Sequence, residues 1–288
     1  MPNFFALLLR GLLAGLVAGL VAGTFAYVAG EPRVDAAIAI EEQAAASEPG
    51  AGGDHHAEDE ALVSRDGQRA GLFLATGLFG AAMGGLLAIG YVLLRRRLRT
   101  ADDGQAALLL AGAALLGAVI VPFGKYPANP PAVGNPDTIN QRTGSYLLLV
   151  LLGLVAVWAA ALGHRSVRPS APYGLRAAAA VGGFLLVTAV AYTVLPSFSE
   201  VPDDFPATLL WEFRIASLGT QVVLWTGIGL LFAILVGRGG RTFRSAGRDG
   251  PAVDGGSTVG DGPAVEGGST GPGRPAGMPE GADAPAGR

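Results

Sequence analysis

Residues 11–29 read GLLAGLVAGLVAGTFAYVA, a run without a single charged side chain. Five further uncharged runs follow at 71–94, 106–123, 144–162, 177–195 and 216–236. Each has 18 to 24 residues, and roughly 20 residues of helix span the hydrocarbon core of a bilayer. Buried helices of a globular protein are the alternative, but those helices average about 11–12 residues. The pattern therefore predicts an all-α, polytopic membrane protein with six transmembrane helices.

The first run could instead belong to a cleaved signal peptide. It is longer than the usual apolar region of about 7–15 residues, and residues 24–30 form only a loose small-residue cleavage site. We therefore expect a retained first helix.

Glycines recur every four residues along that helix, at positions 11, 15, 19 and 23. Such a stripe lets helix backbones approach closely in lipid. Packing within the chain is favoured over a dimer face, and the second run offers a facing surface at Gly77, Gly80, Gly84 and Gly85.

Basic residues are unevenly distributed among the connections. The second, fourth and sixth runs are followed by arginine-rich stretches: Arg95, Arg96, Arg97 and Arg99; Arg165, Arg168 and Arg176; Arg238, Arg241, Arg244 and Arg248. The longer alternate connections, 30–70, 124–143 and 196–215, hold three, two and one basic residues. Because cytoplasmic loops are enriched in arginine and lysine, both termini are predicted to lie in the cytoplasm. These three connections, which we term the first, second and third outer segments, are predicted to lie outside.

The charge pattern narrows the possible partners and ligands. Fifteen of the 23 acidic residues fall in the three outer segments, and an acidic surface concentrates cations. The membrane topology explains where the arginines lie, so the basic residues give no support for nucleic-acid binding. The chain has no cysteine, so a metal would meet oxygen and nitrogen ligands.

A membrane domain of residues 1–237 and a tail of residues 238–288 are predicted. The tail is rich in glycine and proline and contains a near-repeat, DGPAVDGGST at 249–258 and DGPAVEGGST at 261–270. A segment with so few large apolar residues cannot offset its chain entropy. We therefore expect it to be a disordered cytoplasmic tail.

The outer segments hold the candidate metal ligands. Residues 31–47 predict a short helix that carries Glu31 and Asp35, and His55 and His56 follow among acidic residues. A solvated acidic linker is the competing interpretation for the histidines. The other candidates are Asp137 in the second segment and Glu200, Asp203 and Asp204 in the third, because imidazole and carboxylate suit divalent first-row metals.

The second outer segment overlaps the unusual stretch 122–142, PFGKYPANPPAVGNPDTINQR. Its prolines argue against helix or central strand, which predicts a rigid connection or entry loop. Asn129 and Gln141 are its candidate pathway residues. Gln221 in the sixth run is the third, although polar residues within a membrane more often bond neighbouring helices.

Several enzyme classes lack their motifs. Lys125 is the only lysine and Tyr126 follows it, which excludes a phosphate-binding loop ending in Lys-Ser or Lys-Thr. Neither His-Glu-x-x-His nor Gly-x-Ser-x-Gly is present. We expect neither an enzyme nor a resident cofactor.

Specific stretches carry a family resemblance: LRGLLAG at 9–15, GEPRVDAAI at 30–38, VPFGKYPANPPAVG at 121–134, DTINQRT at 137–143 and LWEFRIASLGTQ at 210–221. In these the chain resembles the CbtA family, the membrane subunit of a bacterial cobalt transporter. The resemblance extends to about residue 237. It implies cobalt uptake across the bacterial plasma membrane together with CbtB, a small single-span partner with a histidine-rich end.

The resulting expectation is a membrane subunit of a cobalt or nickel uptake transporter. Metal would be collected at the acidic outer face and passed through the helix bundle. The alternative is a non-transporting scaffold or accessory protein of cobalamin or cobalt metabolism. Membrane lipid, the single-span protein and a second copy of the chain are the partners considered.

Overall fold

A computed structural model describes residues 3–47, 65–98, 100, 102–131 and 133–246. Within these ranges the structure is helical, without strands. The α-helices are α1 (Phe4–Ala29), α2 (Glu31–Ser47), α3 (Arg65–Leu94), α4 (Asp103–Ala114), α5 (Val121–Lys125), α6 (Ile139–Ser166), α7 (Tyr173–Val194) and α8 (Ala207–Ala246). A π-helical segment, Leu115–Ile120, joins α4 to α5, and a 3₁₀ turn, Pro136–Thr138, precedes α6.

Six helical stretches of the described chain are long and apolar enough to cross a membrane, as predicted. They are Phe4–Ala29, Gly67–Leu94, Asp103–Lys125, Pro136–Ser166, Tyr173–Val194 and Ala207–Gly237. Large apolar side chains cover their outer surfaces, including Leu186 at 67% exposure and Val190 at 53%. Exposed apolar surface on this scale is typical of lipid contact.

The predicted glycine seam joins α1 to α3. A Cβ on Gly15 would overlap the carbonyl oxygen of Gly80, and a Cβ on Gly84 would overlap that of Gly11. Gly77 and Gly85 lie beside leucine side chains of α1 rather than its backbone. The glycine stripe is thus used within the chain, as expected from the packing of helices in lipid.

Helix α8 lies against both α1 and α4 and completes the main core. Small residues set its approach: a Cβ on Gly227 would lie 2.9 Å from Ala18 Cβ, and one on Gly229 would lie 2.8 Å from Ala111 Cβ. Phe232 is fully buried and meets Tyr91 edge to face, with ring centroids 5.4 Å apart.

The α6–α7 hairpin packs beside this core, against the π-helical segment. Gly117 and Gly153 meet backbone to backbone at that contact. Within the hairpin, Gly163 lies against the backbone of Ala179, and Gly183 against that of Ala159. Helix α7 is peripheral and has Ala191 as its buried residue.

The expectation that the stretch 122–142 is not helical was wrong at both ends. Pro122 to Lys125 form α5, and α6 begins at Ile139, so the irregular part spans 126–135. A proline inside a helix removes one backbone donor and clashes with the carbonyl four residues earlier. The wider π-helical turn immediately before Pro122 accommodates that proline inside the span.

Helical structure also occurs outside the six candidate spans. The helix expected at 31–47 is confirmed as α2. At the other end of the chain, α8 continues past residue 237 to Ala246. Residues 247–288 lie outside the described chain.

Alternating spans place the three outer segments at one end of the bundle, which we term the outer end. The connections α3–α4 and α6–α7 meet at the opposite, inner end, where Arg165 Nη2 donates to the Arg97 carbonyl at 3.0 Å.

Reporter fusions test the orientation across the membrane. The arginine asymmetry predicts that a periplasm-active reporter fused at residue 130 is active, whereas one fused at residue 97 is inactive. A cytoplasm-active reporter should give the opposite result at both positions. Equal activity at residues 97 and 130 would contradict the six-span topology.

Candidate functional site

Glu200 fastens the third outer segment to the second. Its carboxylate accepts hydrogen bonds from the Asn135 backbone N–H at 2.9 Å and from the Thr138 hydroxyl, and lies 3.0 Å from Arg142 Nη1. Only 11% of its side chain is exposed. The Thr138 hydrogen bond, the Asn135 N–H and the Arg142 charge together hold the pKa of Glu200 below its ordinary value. We term this arrangement the Glu200 clamp.

Gly134 makes room for the clamp. Its φ of 136° is one that L side chains rarely adopt, and a Cβ there would lie 2.7 Å from Arg142 Nη1. Asn135 then orders the next turn, because its side-chain oxygen accepts from the Asp137 N–H at 2.9 Å. The loop therefore delivers a backbone donor, a hydroxyl and a guanidinium to one carboxylate.

A second set of bonds anchors the end of α5. Lys125 Nζ donates to the Tyr192 carbonyl at 2.9 Å and to Ser197 Oγ at 3.1 Å. The Tyr126 hydroxyl donates to the Pro196 carbonyl at 2.6 Å. The single lysine of the chain is thus engaged with the end of α7 and the residues after it.

Arginine side chains connect α8 to the other outer segments. Arg214 Nη2 donates to Asn129 Oδ1 at 2.9 Å. Arg33 Nε lies 3.4 Å from Glu212 Oε2 on the same helix. One turn of α8 therefore holds both the proline-rich loop and α2.

Within the first outer segment, Arg69 at the start of α3 holds α2. Arg69 Nη2 donates to Asp35 Oδ2 at 2.8 Å, and Arg69 Nε lies 3.5 Å from Glu31 Oε2. With the Arg33 and Arg214 contacts, these bonds bring all three outer segments onto one surface, as their alternation along the chain predicts.

The candidate ligands fall into two groups on this surface. Glu31, Asp35 and Glu200 are paired with arginines. Asp137, Asp203 and Asp204 are exposed, and no side chain of the described residues binds their carboxylates. His55 and His56 lie outside the described residues. Among those described, no group of three or more histidine or acidic residues is arranged to hold a metal ion.

The candidate pathway residues do not converge. Asn129 is bound to Arg214, Gln141 is exposed at the start of α6, and Gln221 is half-buried in α8 without a hydrogen bond to any described residue. Two clefts of the described structure lie on the flank of α4. One, of about 170 Å³, is shared with Trp225 and Gly229 of α8, and the other, of about 560 Å³, reaches Val157 of α6. Both are lined chiefly by apolar side chains.

Sequence reasoning missed the arginines that neutralise the predicted ligands. The three outer segments carry only one to three basic residues each, and Arg33, Arg69, Arg142 and Arg214 all pair there with an acidic or amide side chain. The basic residues on the predicted outer face could have indicated this pairing. They oppose the charge asymmetry that orients the chain, so their presence there calls for a local partner.

The comparisons with known proteins give one family. A family model described as probable cobalt transporter subunit (CbtA) matches residues 4–237. No curated protein matches the chain, and no solved structure matches it. The matched region runs from the first residues of α1 to the end of the sixth span, and with it the outer-end network. The chain therefore belongs to the CbtA family of probable cobalt transporter subunits.

Proposed function

We propose that this chain is the membrane subunit of a bacterial cobalt or nickel uptake transporter, located in the plasma membrane, and not an enzyme. The observation that carries the proposal is the family match over all six spans. The transported ion is the substrate, and no resident cofactor is invoked.

Metal binding is proposed for the exposed acidic groups of the outer end, where the histidines collect the ion and Asp137, on the rigid second segment, lies on its path. Asp137, Asp203 and Asp204 present carboxylates that no described side chain occupies. His55 and His56 would add imidazole ligands from the same segment as α2. Carboxylate and imidazole together favour first-row divalent ions such as cobalt(II) and nickel(II).

A different role is proposed for the arginine-paired carboxylates. Glu200 holds the third outer segment to the second, and Glu31 and Asp35 hold α2 to the start of α3 within the first. A divalent ion would compete with Arg69 and Arg142 for the same oxygens, so metal arrival at these carboxylates would loosen the outer segments. Asn129, Gln141 and Gln221 would then act further along the path.

Passage through the bundle is proposed to need a second subunit. The family description names a subunit, and the clefts of the described structure are apolar rather than polar. A small single-span protein with a histidine-rich end, as in CbtB, is the proposed partner, and a second copy of this chain is the other. Membrane lipid surrounds the assembly.

Cobalt uptake into cells is the direct test. Cells that express this chain with its partner should accumulate radiolabelled cobalt above cells that express the partner alone. Uptake that is unchanged by this chain would contradict the transporter proposal. It would favour a membrane scaffold of cobalt metabolism, which the apolar clefts and the arginine-paired outer segments also fit.

Replacing His55 and His56 together by alanine is expected to lower cobalt uptake at scarce metal but to spare it at saturating metal. A collecting site raises the local concentration of the ion without lying on the obligatory path. Asp137→Asn is expected to lower uptake at every concentration. Complete loss of uptake by the double histidine variant at saturating cobalt would place both histidines on the path itself.

A further inference from the structure

Among the described residues, the inner end carries guanidinium groups that have no carboxylate partner. Arg165 Nη2 donates to the Arg97 carbonyl at 3.0 Å, which joins the α3–α4 connection to the end of α6. His164 precedes Arg165 in α6, and its Nε2 lies 2.8 Å from Arg176 Nη2 of α7. Arg168 lies in the short connection between α6 and α7 and is exposed. We term Arg165, Arg168 and Arg176 the inner arginine cluster.

The nearby acids of the described inner end are already engaged elsewhere. Asp103 binds Arg95 Nε at 2.6 Å, and Asp102 accepts the Gln105 backbone N–H at 2.8 Å as the cap of α4. The connection 167–172 contains no acidic residue. Arg176 also keeps its Nε buried without a partner in the described structure. Because arginine remains protonated, the cluster retains its full positive charge.

His164 does not relieve this charge. Arginine can only donate, so His164 Nε2 accepts from Arg176 and the proton of a neutral imidazole lies on Nδ1. The histidine therefore orients Arg176 without neutralising it. Just beyond, Gly163 lies against the backbone of Ala179, which fixes the end of α6 against the start of α7.

The surface below the cluster is apolar and faces outward. Leu151, Val155, Trp158 and Leu162 recur at helical spacing along α6 and lead to Arg165. These four side chains are 43–61% exposed. A strip of this kind fits an acyl chain, and a guanidinium at its end fits the phosphate that an acyl chain carries.

From this charge, geometry and apolar strip we infer that the inner arginine cluster is a binding site for an anionic phospholipid. The phosphate lies between Arg165 and Arg176, and an acyl chain follows the Leu151–Leu162 face of α6. Guanidinium groups suit this role because their planar donors bind phosphate oxygens in pairs. The site is separate from the outer end, and it does not depend on the transported ion.

Native mass spectrometry of the full chain, purified in detergent and mixed with lipid, tests the site. Phosphatidylglycerol is expected to remain bound in preference to phosphatidylcholine with the same acyl chains. Replacing Arg165 and Arg176 together by glutamine is expected to weaken phosphatidylglycerol binding by about tenfold or more, since each basic residue near an anionic headgroup contributes. The variant Arg96→Gln is the comparison, because Arg96 lies outside the cluster and is exposed.

Each other outcome would overturn the inference. Equal retention of the two lipids would show that charge is not recognised. An equal loss with Arg96→Gln would show diffuse attraction rather than a site. Displacement of the lipid by millimolar inorganic phosphate would identify a soluble anion as the ligand.

A second variant covers the case in which the glutamine pair fails to fold. Lysine at positions 165 and 176 keeps both charges but removes the paired donors, and is expected to bind phosphatidylglycerol more weakly than the native chain. Binding of the lysine variant at native strength would overturn the guanidinium geometry.

Discussion

Replacing Gly84 by leucine is expected to abolish the accumulation of correctly folded protein. A Cβ at this position would overlap the Gly11 carbonyl oxygen and lie 2.8 Å from Gly15 Cα. These are backbone atoms of a packed helix and cannot rotate away. The cost should therefore exceed the roughly 1–3 kcal/mol typical of an over-packed core, against a total stability of about 5–15 kcal/mol for most proteins. Size-exclusion chromatography of a fluorescent fusion, followed by thermal unfolding, measures the effect.

Gly90→Leu is the matched control for this experiment. Gly90 belongs to the same helix, and a Cβ there meets nothing within 4 Å. The Gly90→Leu variant should therefore elute and unfold like the native chain. Native behaviour of Gly84→Leu would contradict the backbone contact between α1 and α3. Gly84→Ala should fall between the two, because it adds the clashing atom without the rest of a leucine side chain.

Replacing Glu200 by glutamine is expected to release residues 134–142 from the third outer segment, whereas Tyr126 and Asn129 keep their own bonds to that segment. The substitution keeps the shape but removes the charge that binds Arg142 and that strengthens the bonds from Thr138 and Asn135. Amide hydrogen exchange in the loop should accelerate by about tenfold or more, as expected for the loss of hydrogen bonds to a charged group. Asp203→Asn, the same change on an exposed neighbour, should leave loop exchange unaltered.

The pH dependence gives this prediction a second measurement. The pKa of Glu200 is lowered in the folded state. The ionised carboxylate therefore stabilises the loop fully above the ordinary carboxyl range, and this stabilisation is lost as pH falls through the folded-state pKa. Loop protection in the native chain should therefore persist from pH 7 to pH 5, since an ordinary glutamate titrates at about 4.3, and should be lost below that range. The glutamine variant should exchange rapidly throughout. Early loss of protection near pH 6 would contradict the assigned ion pair.

The six spans and the glycine contact between α1 and α3 could be predicted from the sequence alone. Uncharged length determines which segments can cross a bilayer, because only a continuous helix satisfies its backbone there. The facing glycines could also be matched, since a smooth stripe on one helix needs a smooth surface on its neighbour. The neighbours of α8 could not be predicted from the sequence. Gly227 and Gly229 pack against Ala18 and Ala111 because the helix surfaces fit one another, and the residue types alone do not indicate that pairing.

The sequence indicated which acidic residues lie at the candidate site, but not which of them pair with arginines. Glu200 and Asp203 look alike in sequence, yet one is clamped and the other is exposed. The difference depends on the turn at Gly134, which brings Asn135 and Arg142 to a carboxylate far along the chain. The helix through Pro122 was missed for a related reason, because the π-helical turn that accommodates it has no clear signature in residue type.

The position of α8 between α1 and α4 has a consequence for biosynthesis. A ribosome makes α1 and α3 early, and their glycine seam can close as soon as both have entered the bilayer. The faces of α1 and α4 that carry Ala18 and Ala111 then wait for α8, which emerges only after the α6–α7 hairpin is complete. Until then, lipid or an insertion chaperone must cover them. A chain truncated between residues 195 and 207 and released from the ribosome should therefore be recognised by quality-control proteases, although it holds five of the six spans.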